Sequence, residues 1–192
     1  MAVLVKGANV KVGDKTIDIS GYSFSPDETK LFFATESEGI YRRSSVETNY
    51  VYDIKTGKTM PLSDNGKQMF ATFSPVGNKV AFVRANNLYI KNFDNGKEIQ
   101  ITHDGKNNEI KNGWADWVYE EEFSFTRAFQ WSEDSKKIAF LRFDESNVKE
   151  FTLEYYKDEM YPEPYSFKYP KVGEENSTLE VKIYSLDNNK TV

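Results

Sequence analysis

The feature that most limits what this chain can become is a segment that recurs three times. The copies are Tyr22-Ser23-Phe24-Ser25-Pro26-Asp27-Glu28-Thr29-Lys30-Leu31-Phe32-Phe33, Ala71-Thr72-Phe73-Ser74-Pro75-Val76-Gly77-Asn78-Lys79-Val80-Ala81-Phe82 and Phe129-Gln130-Trp131-Ser132-Glu133-Asp134-Ser135-Lys136-Lys137-Ile138-Ala139-Phe140. Each runs from an aromatic residue through Ser and a four- or five-residue polar turn to Lys and an apolar run. Pro, Asp, Gly and Asn reverse a chain at low cost, so each copy reads as a β-hairpin. An alternating strand and a second turn follow each hairpin: Tyr50–Ile54 before Lys55–Lys58, Asn87–Lys91 before Phe93–Lys97, and Glu180–Tyr184 before Leu186–Asn189. Each unit therefore holds about four antiparallel strands in roughly 40–60 residues, the period of a propeller blade.

The expected fold is all-β: about three consecutive four-stranded antiparallel blades over residues 17–64, 67–103 and 108–192, with a short helical turn near 116–123. A plain β-sandwich with coincidental Ser-Pro turns is the competing reading. The runs Leu31–Ala34, Val80–Val83 and Ile138–Leu141 are expected to be central strands buried on both faces. Three blades cannot close a ring, which takes typically 4–8. The first and last sheets of such an open arc are expected to expose apolar faces, and the chain to self-associate through them.

Composition removes several function classes. With 25 Lys+Arg against 30 Asp+Glu the net charge is −5, so there is no basic face for nucleic acid. Cysteine is absent, which excludes disulfides, a thiol nucleophile and thiolate metal sites. The one histidine, His103, lies in a turn ending the second unit and rules out any all-His metal site. No cofactor is expected. The longest apolar runs are four residues, far short of a membrane span, and Met1–Lys6 has no pattern of a signal peptide. The 14 Phe, 12 Tyr and 3 Trp are instead a strand-forming composition.

Insertions break the period at 35–47 and 113–123, and a Tyr- and Pro-rich stretch from Tyr155 to Glu175 reads as an extended excursion. The second insertion sets Glu120, Glu121 and Glu122 among Trp117, Tyr119 and Phe123. Three like charges in a row normally mark a solvated loop. Adjacent carboxylates can serve one ligand only from a helical turn or bulge, because strand neighbours face opposite ways. Such a cluster would suit an ammonium: a peptide α-amino group has a pKa near 7.7–8.0, and carboxylates raise it further. Arg42 or Arg43 could clamp the carboxylates and still donate to a carbonyl oxygen. A divalent cation on Asp116 and Glu120–Glu122 is disfavoured, since no Ca²⁺-loop pattern accompanies them.

Asp116-Trp117-Val118-Tyr119-Glu120-Glu121-Glu122-Phe123 resembles the D-W-V-Y-E-E-E motif of the dipeptidyl peptidase IV family, in the prolyl oligopeptidase clan of serine peptidases. The likeness runs from about residue 20 to 190 and includes Ser74–Lys79, Phe151–Tyr156 and Tyr169-Pro170-Lys171-Val172-Gly173. Phe123-Ser124 follows the glutamates directly, one residue shorter than in mammalian members, which is more similar to the bacterial branch. The resemblance implies an arc of an eight-bladed propeller that caps an α/β-hydrolase domain. It implies that Glu121 and Glu122 hold the substrate's N-terminal ammonium, and that Arg42, ten residues before Tyr52, holds the second residue's carbonyl oxygen. Arg43 is the fallback for that arginine; Asp116, Trp117, Tyr119 and Glu120 support the site.

The parent, by the same resemblance, is a secreted, periplasmic or cell-envelope enzyme that releases X-Pro or X-Ala dipeptides. No Gly-x-Ser-x-Gly elbow occurs in this sequence, so the chain alone is expected to be inactive, lacking the hydrolase domain and the remaining blades as partners. The alternative is a non-enzymatic propeller-type interaction module, which has no reason to bring Arg42 to Glu121 and Glu122.

Overall fold

Three antiparallel sheets, two of four strands and one of five, form where the repeats predict hairpins, in a computed structural model that describes residues 3–192. After a 3₁₀ turn at Gly7–Asn9, β1 (Lys11–Val12) and β2 (Lys15–Thr16) pair with each other. The first sheet is β3 (Gly21–Phe24), β4 (Lys30–Gly39), β5 (Ser45–Asp53) and β6 (Lys58–Pro61), in that order. The second is β7 (Met69–Phe73), β8 (Lys79–Arg84), β9 (Asn87–Asn92) and β10 (Glu98–Gln100).

The third sheet carries the larger excursions. Its first position is shared by two short strands, β11 (Ile110–Asn112) and β12 (Phe129–Trp131), with helix α1 (Trp117–Phe123) between them. Both pair with β13 (Lys137–Asp144): β12 against Ile138–Phe140 and β11 against Arg142–Asp144. Main-chain bonds from Gly113 to Leu141, from Leu141 to Ala128 and from Ala128 to Gly113 close the neck from which the helix is looped out. Strands β14 (Glu150–Tyr155) and β15 (Glu163–Lys168) then form a separate hairpin before β16 (Thr178–Ser185) and β17 (Lys190–Thr191) complete the sheet. Pro164 lies within β15, where a two-stranded hairpin leaves its missing N–H harmless.

The recurring Ser and Lys have a shared structural purpose. Ser25, Ser74 and Ser132 accept through Oγ from the amides of Lys30, Lys79 and Lys137 at 2.9, 3.2 and 2.9 Å. Their own amides donate to the same lysines' carbonyl oxygens at 2.9 Å. The residue three places after each Ser takes a left-handed backbone: Glu28 (φ 54°), Gly77 (φ 80°) and Ser135 (φ 58°). Successive turns also nest. The Val76 amide donates to Ser135 Oγ at 3.0 Å, while Gly77 leaves room for the Asp27 carboxylate.

The cores lie between successive sheets, as in a propeller. Phe32, Val51, Leu62, Phe73, Val80 and Phe82 pack between the first and second sheets. Val83, Leu88, Ile90, Trp131, Ile138 and Phe140 pack between the second and third. Only the middle run, Val80–Val83, is fully buried throughout, because only that sheet has a neighbour on each side. In the third, Ala139 and Leu141 alternate as half-buried residues, which corrects the expectation of burial on both faces there. The first sheet escapes exposure differently. Val10, with Val5, Ile17 and Ile19 of the preceding segment, covers Leu31, Phe33 and Tyr52, so its outer face is not the open apolar surface anticipated. Exposed apolar side chains remain at Tyr22 and Phe24 on β3 and at Val181 and Ile183 on β16.

Candidate functional site

The insertion at 35–47 is a lengthened hairpin rather than a loose loop. Strands β4 and β5 continue pairing past a register shift between Thr35 and Glu38, out to Gly39 opposite Ser45. Ile40–Ser44 make the tip, closed by the Ile40 amide on the Ser44 carbonyl at 2.8 Å and the Tyr41 amide on Ser44 Oγ at 3.2 Å. Tyr41 stacks on Trp114 with ring centres 6.1 Å apart and touches Phe167 at 6.2 Å, which carries the tip toward α1. Burial, with Glu145 and other acidic neighbours adding to it, pushes the Tyr41 hydroxyl's pKa upward, so the ring stays neutral.

Helix α1 is short and is held at both ends. Asp116 caps it, accepting the Tyr119 amide through Oδ1 at 2.9 Å and the Ser177 hydroxyl through Oδ2. Such a cap contributes about 1 kcal/mol. Ser124 ends it in the left-handed region at φ 54°. Trp117 packs on Tyr169 with ring centres 4.4 Å apart, and Tyr119 on Phe143 at 5.2 Å, so Tyr119 faces the third sheet and Trp117 the segment of the β14–β15 hairpin.

A helix turns about 100° per residue, so three consecutive glutamates cannot share a direction. Glu120 points inward and is 1% exposed; its Oε1 accepts the amides of Arg43 at 2.6 Å and Ser44 at 2.9 Å. Glu121 lies at the edge, where Arg42 Nη2 reaches its Oε1 at 3.0 Å. Glu122 is exposed and borders a different hollow of about 980 Å³, with Trp117, Phe151, Tyr169 and Lys171. Glu121 and Arg42 border one of about 390 Å³ with Tyr41, Leu153, Tyr155 and Tyr165. Trp117, Leu153 and Phe167 stand between the two hollows and line both.

The structure thus brings Arg42 to Glu121 but gives Arg42 no ion pair with Glu122 among the described residues. Arg43 meets the motif only through its backbone; its side chain lines the hollow of Tyr22, Phe32 and Phe70 between the first two sheets. The side chains of Arg42 and Glu121 are 69% and 23% exposed, so their pair adds little to stability and is open to a ligand. Asp116 and Glu120 are committed to protein donors, and no group of three or more acidic or His side chains among the described residues is placed to hold a metal. His103 is exposed on the segment after β10.

Sequence reasoning missed Tyr41, Ser44, Ser177 and a buried ion pair, Lys111–Glu145, lying beneath Trp114. An aromatic beside Arg42 was a usable signal. Nothing in the pattern marked Lys111 or Glu145, whose residue types are almost always solvated.

A family model described as the dipeptidyl peptidase IV (DPP IV) N-terminal region matches residues 25–192. The chain belongs to the dipeptidyl peptidase IV family. It is 35% identical, over 95% of its length, to a probable dipeptidyl-aminopeptidase B of Chaetomium globosum. To the human prolyl endopeptidase FAP it is 34% identical over 90% of its length. The crystal structure of Porphyromonas gingivalis dipeptidyl peptidase 4 superposes with a TM-score of 0.87 at 41% identity, covering 94% of this chain. The chain spans only 21% and 23% of those two curated relatives and 28% of that solved chain. The sheets and the motif helix are therefore those of a dipeptidyl peptidase IV N-terminal region, arranged as an arc of a propeller. Among the described residues no helix is long and apolar enough to cross a membrane.

Proposed function

We propose that this region anchors the free N-terminus of a peptide substrate in a serine-type dipeptidyl peptidase, of which the chain supplies part of the propeller. The observation that carries the reading is the solvent-accessible Arg42–Glu121 pair, its arginine exposed and its glutamate half-buried, assembled from a hairpin tip and the motif helix. A carboxylate beside a solvent-facing hollow is a receptor for an ammonium, and a guanidinium that uses one edge on Glu121 keeps donors for a carbonyl oxygen. Glu122, whose side chain is exposed, would serve as the second carboxylate by turning from its own hollow toward the ammonium at Glu121. An ammonium fixed at a set distance leaves room for two residues before the cleaved bond, which accounts for dipeptide release. The hydroxyl nucleophile and its base belong to a hydrolase domain, so these residues alone bind and do not cleave. The Phe123-Ser124 ending and the 41% identity to the Porphyromonas gingivalis protein support a bacterial parent, and the family a parent that is secreted, periplasmic or on the cell envelope. An interaction module would gain nothing from an exposed Arg–Glu pair of such low stabilising value.

The test uses the full-length enzyme with an X-Pro dipeptide substrate. Arg42→Ala and Glu121→Gln should each lower kcat/KM by about 10- to 100-fold, the worth of a charge-assisted hydrogen bond. Acetylating the substrate's amino group should cost the wild-type enzyme more than it costs Glu121→Gln. Equal loss in both, or unchanged kcat/KM in the variants, would overturn the reading.

A further inference from the structure

Glu120 is the motif glutamate with no access to a ligand, yet it bonds to a segment far back in the chain. Its Oε1 accepts two amides from the hairpin tip, 77 and 76 residues earlier in sequence. Its Oε2 is buried without a hydrogen-bond partner. A fully buried carboxylate that satisfies only half its capacity is a poor stabilising device, because desolvation offsets much of what the two bonds return. What the arrangement does secure is position. The two amides belong to Arg43 and Ser44, so the carboxylate grips the backbone directly after Arg42, and the next helix residue is Glu121, Arg42's partner.

The rest of the tip constrains Arg42 less tightly. Tyr41 fixes the preceding residue by ring packing, which tolerates sliding, and Tyr165 Oη reaches the Ile40 carbonyl only at 3.4 Å. The Arg42 side chain itself is 69% exposed, so little packing holds it. We infer that Glu120 is a positioning residue: its carboxylate latches the hairpin tip to the motif helix, and so sets the Arg42 guanidinium at Glu121. The first glutamate of the run is then a part of the frame, and the ligand-facing work falls to the two that follow. This rests on the anchoring role proposed for Arg42 and Glu121.

A mutant cycle in the full-length enzyme tests it. Glu120→Ala should raise KM for a dipeptide substrate by about 10-fold with a smaller change in kcat, and Glu120→Gln, which keeps an acceptor, should stay within about 3-fold of wild type. Because Glu120 acts through Arg42, adding Glu120→Ala to Arg42→Ala should cause no further loss. Multiplicative losses, or a Gln variant as impaired as the Ala variant, would overturn the latch. Should Glu120→Ala not fold, Glu120→Asp withdraws the carboxylate by one methylene while keeping the charge, and enters the same cycle.

Hydrogen exchange separates this inference from the reading beneath it. The amides of Arg43 and Ser44 should lose protection in Glu120→Ala or Glu120→Asp and keep it in Glu121→Ala. If Arg42→Ala leaves KM unchanged, the anchoring role fails, and the latch is decided by exchange alone. Unaltered protection at those two amides would sink it.

Discussion

Lys111 and Glu145 form an ion pair from which water is excluded, their side chains being 2% and 0% exposed. Lys111 sits on β11 opposite Phe143, and its ammonium lies 4.9 Å from the centre of the Trp114 ring. Burial pushes the Lys111 pKa down and the Glu145 pKa up, each opposed by the partner's charge. Trp114 in turn supports Tyr41, so the pair lies under the hairpin tip that carries Arg42.

Removing either member strands the other charge in a dry interior. Lys111→Ala or Glu145→Ala should each destabilise the fold by about 3–5 kcal/mol, whereas Lys111→Met with Glu145→Leu should cost far less or nothing. Denaturant unfolding of the single and double variants measures this. Equal losses in all three would show that packing, not charge, dominates there.

Gly77 should not accept a side chain. Its φ of +80° is strained for any L-residue, and an added Cβ would lie 3.0 Å from the Asp27 carboxylate of the neighbouring turn. Gly77→Ala should destabilise by about 1–2 kcal/mol. The midpoint of urea unfolding reads the change directly.

Asp27 gives a pH dependence with a defined sign. The Ser25 hydroxyl above all, with the Thr29 hydroxyl and amide, holds its pKa down at about 2 against an ordinary 3.8. A depressed carboxylate pKa stabilises the folded state above the unfolded value, and that stabilisation is lost as pH falls toward about 2. The group is exposed, so solvent screening limits the effect to about 0.5 kcal/mol. The stability advantage of wild type over Asp27→Asn should shrink between pH 5 and pH 2 in equilibrium unfolding, and a constant difference would contradict the assignment.

The uncovered side of the third sheet should drive association of the isolated chain. Val181 and Ile183 on β16 are 73% and 41% exposed, and Val181 borders the apolar hollow of Phe125, Phe129, Phe140 and Leu141. Sedimentation should show a mass that rises with protein concentration, and Val181→Lys should return the chain to a monomer. A wild-type chain that stays monomeric would remove this face as a cause.

Much of the fold is local and legible in the sequence. The Ser-to-Lys turn repeats because one hydroxyl and two main-chain bonds close it wherever Ser25, Ser74 or Ser132 stands, and turn chemistry of that kind needs no distant partner. The D-W-V-Y-E-E-E run likewise carried its own helix signal, Asp116 capping the Tyr119 amide three residues on.

Tertiary packing decided the rest. A run of three glutamates specifies the angle between successive side chains but not the helix's rotation against its neighbours. That rotation, set by Trp117 on Tyr169 and Tyr119 on Phe143, buries Glu120, turns Glu121 to Arg42 and leaves Glu122 in solvent. Which face of the first sheet is covered and where Lys111 finds Glu145 are decided the same way, by contacts between segments far apart in the chain. Local pattern encodes turns and strands because their hydrogen bonds are short-range. Burial of charge, and the pairing of Arg42 with Glu121, depend on how whole sheets stack.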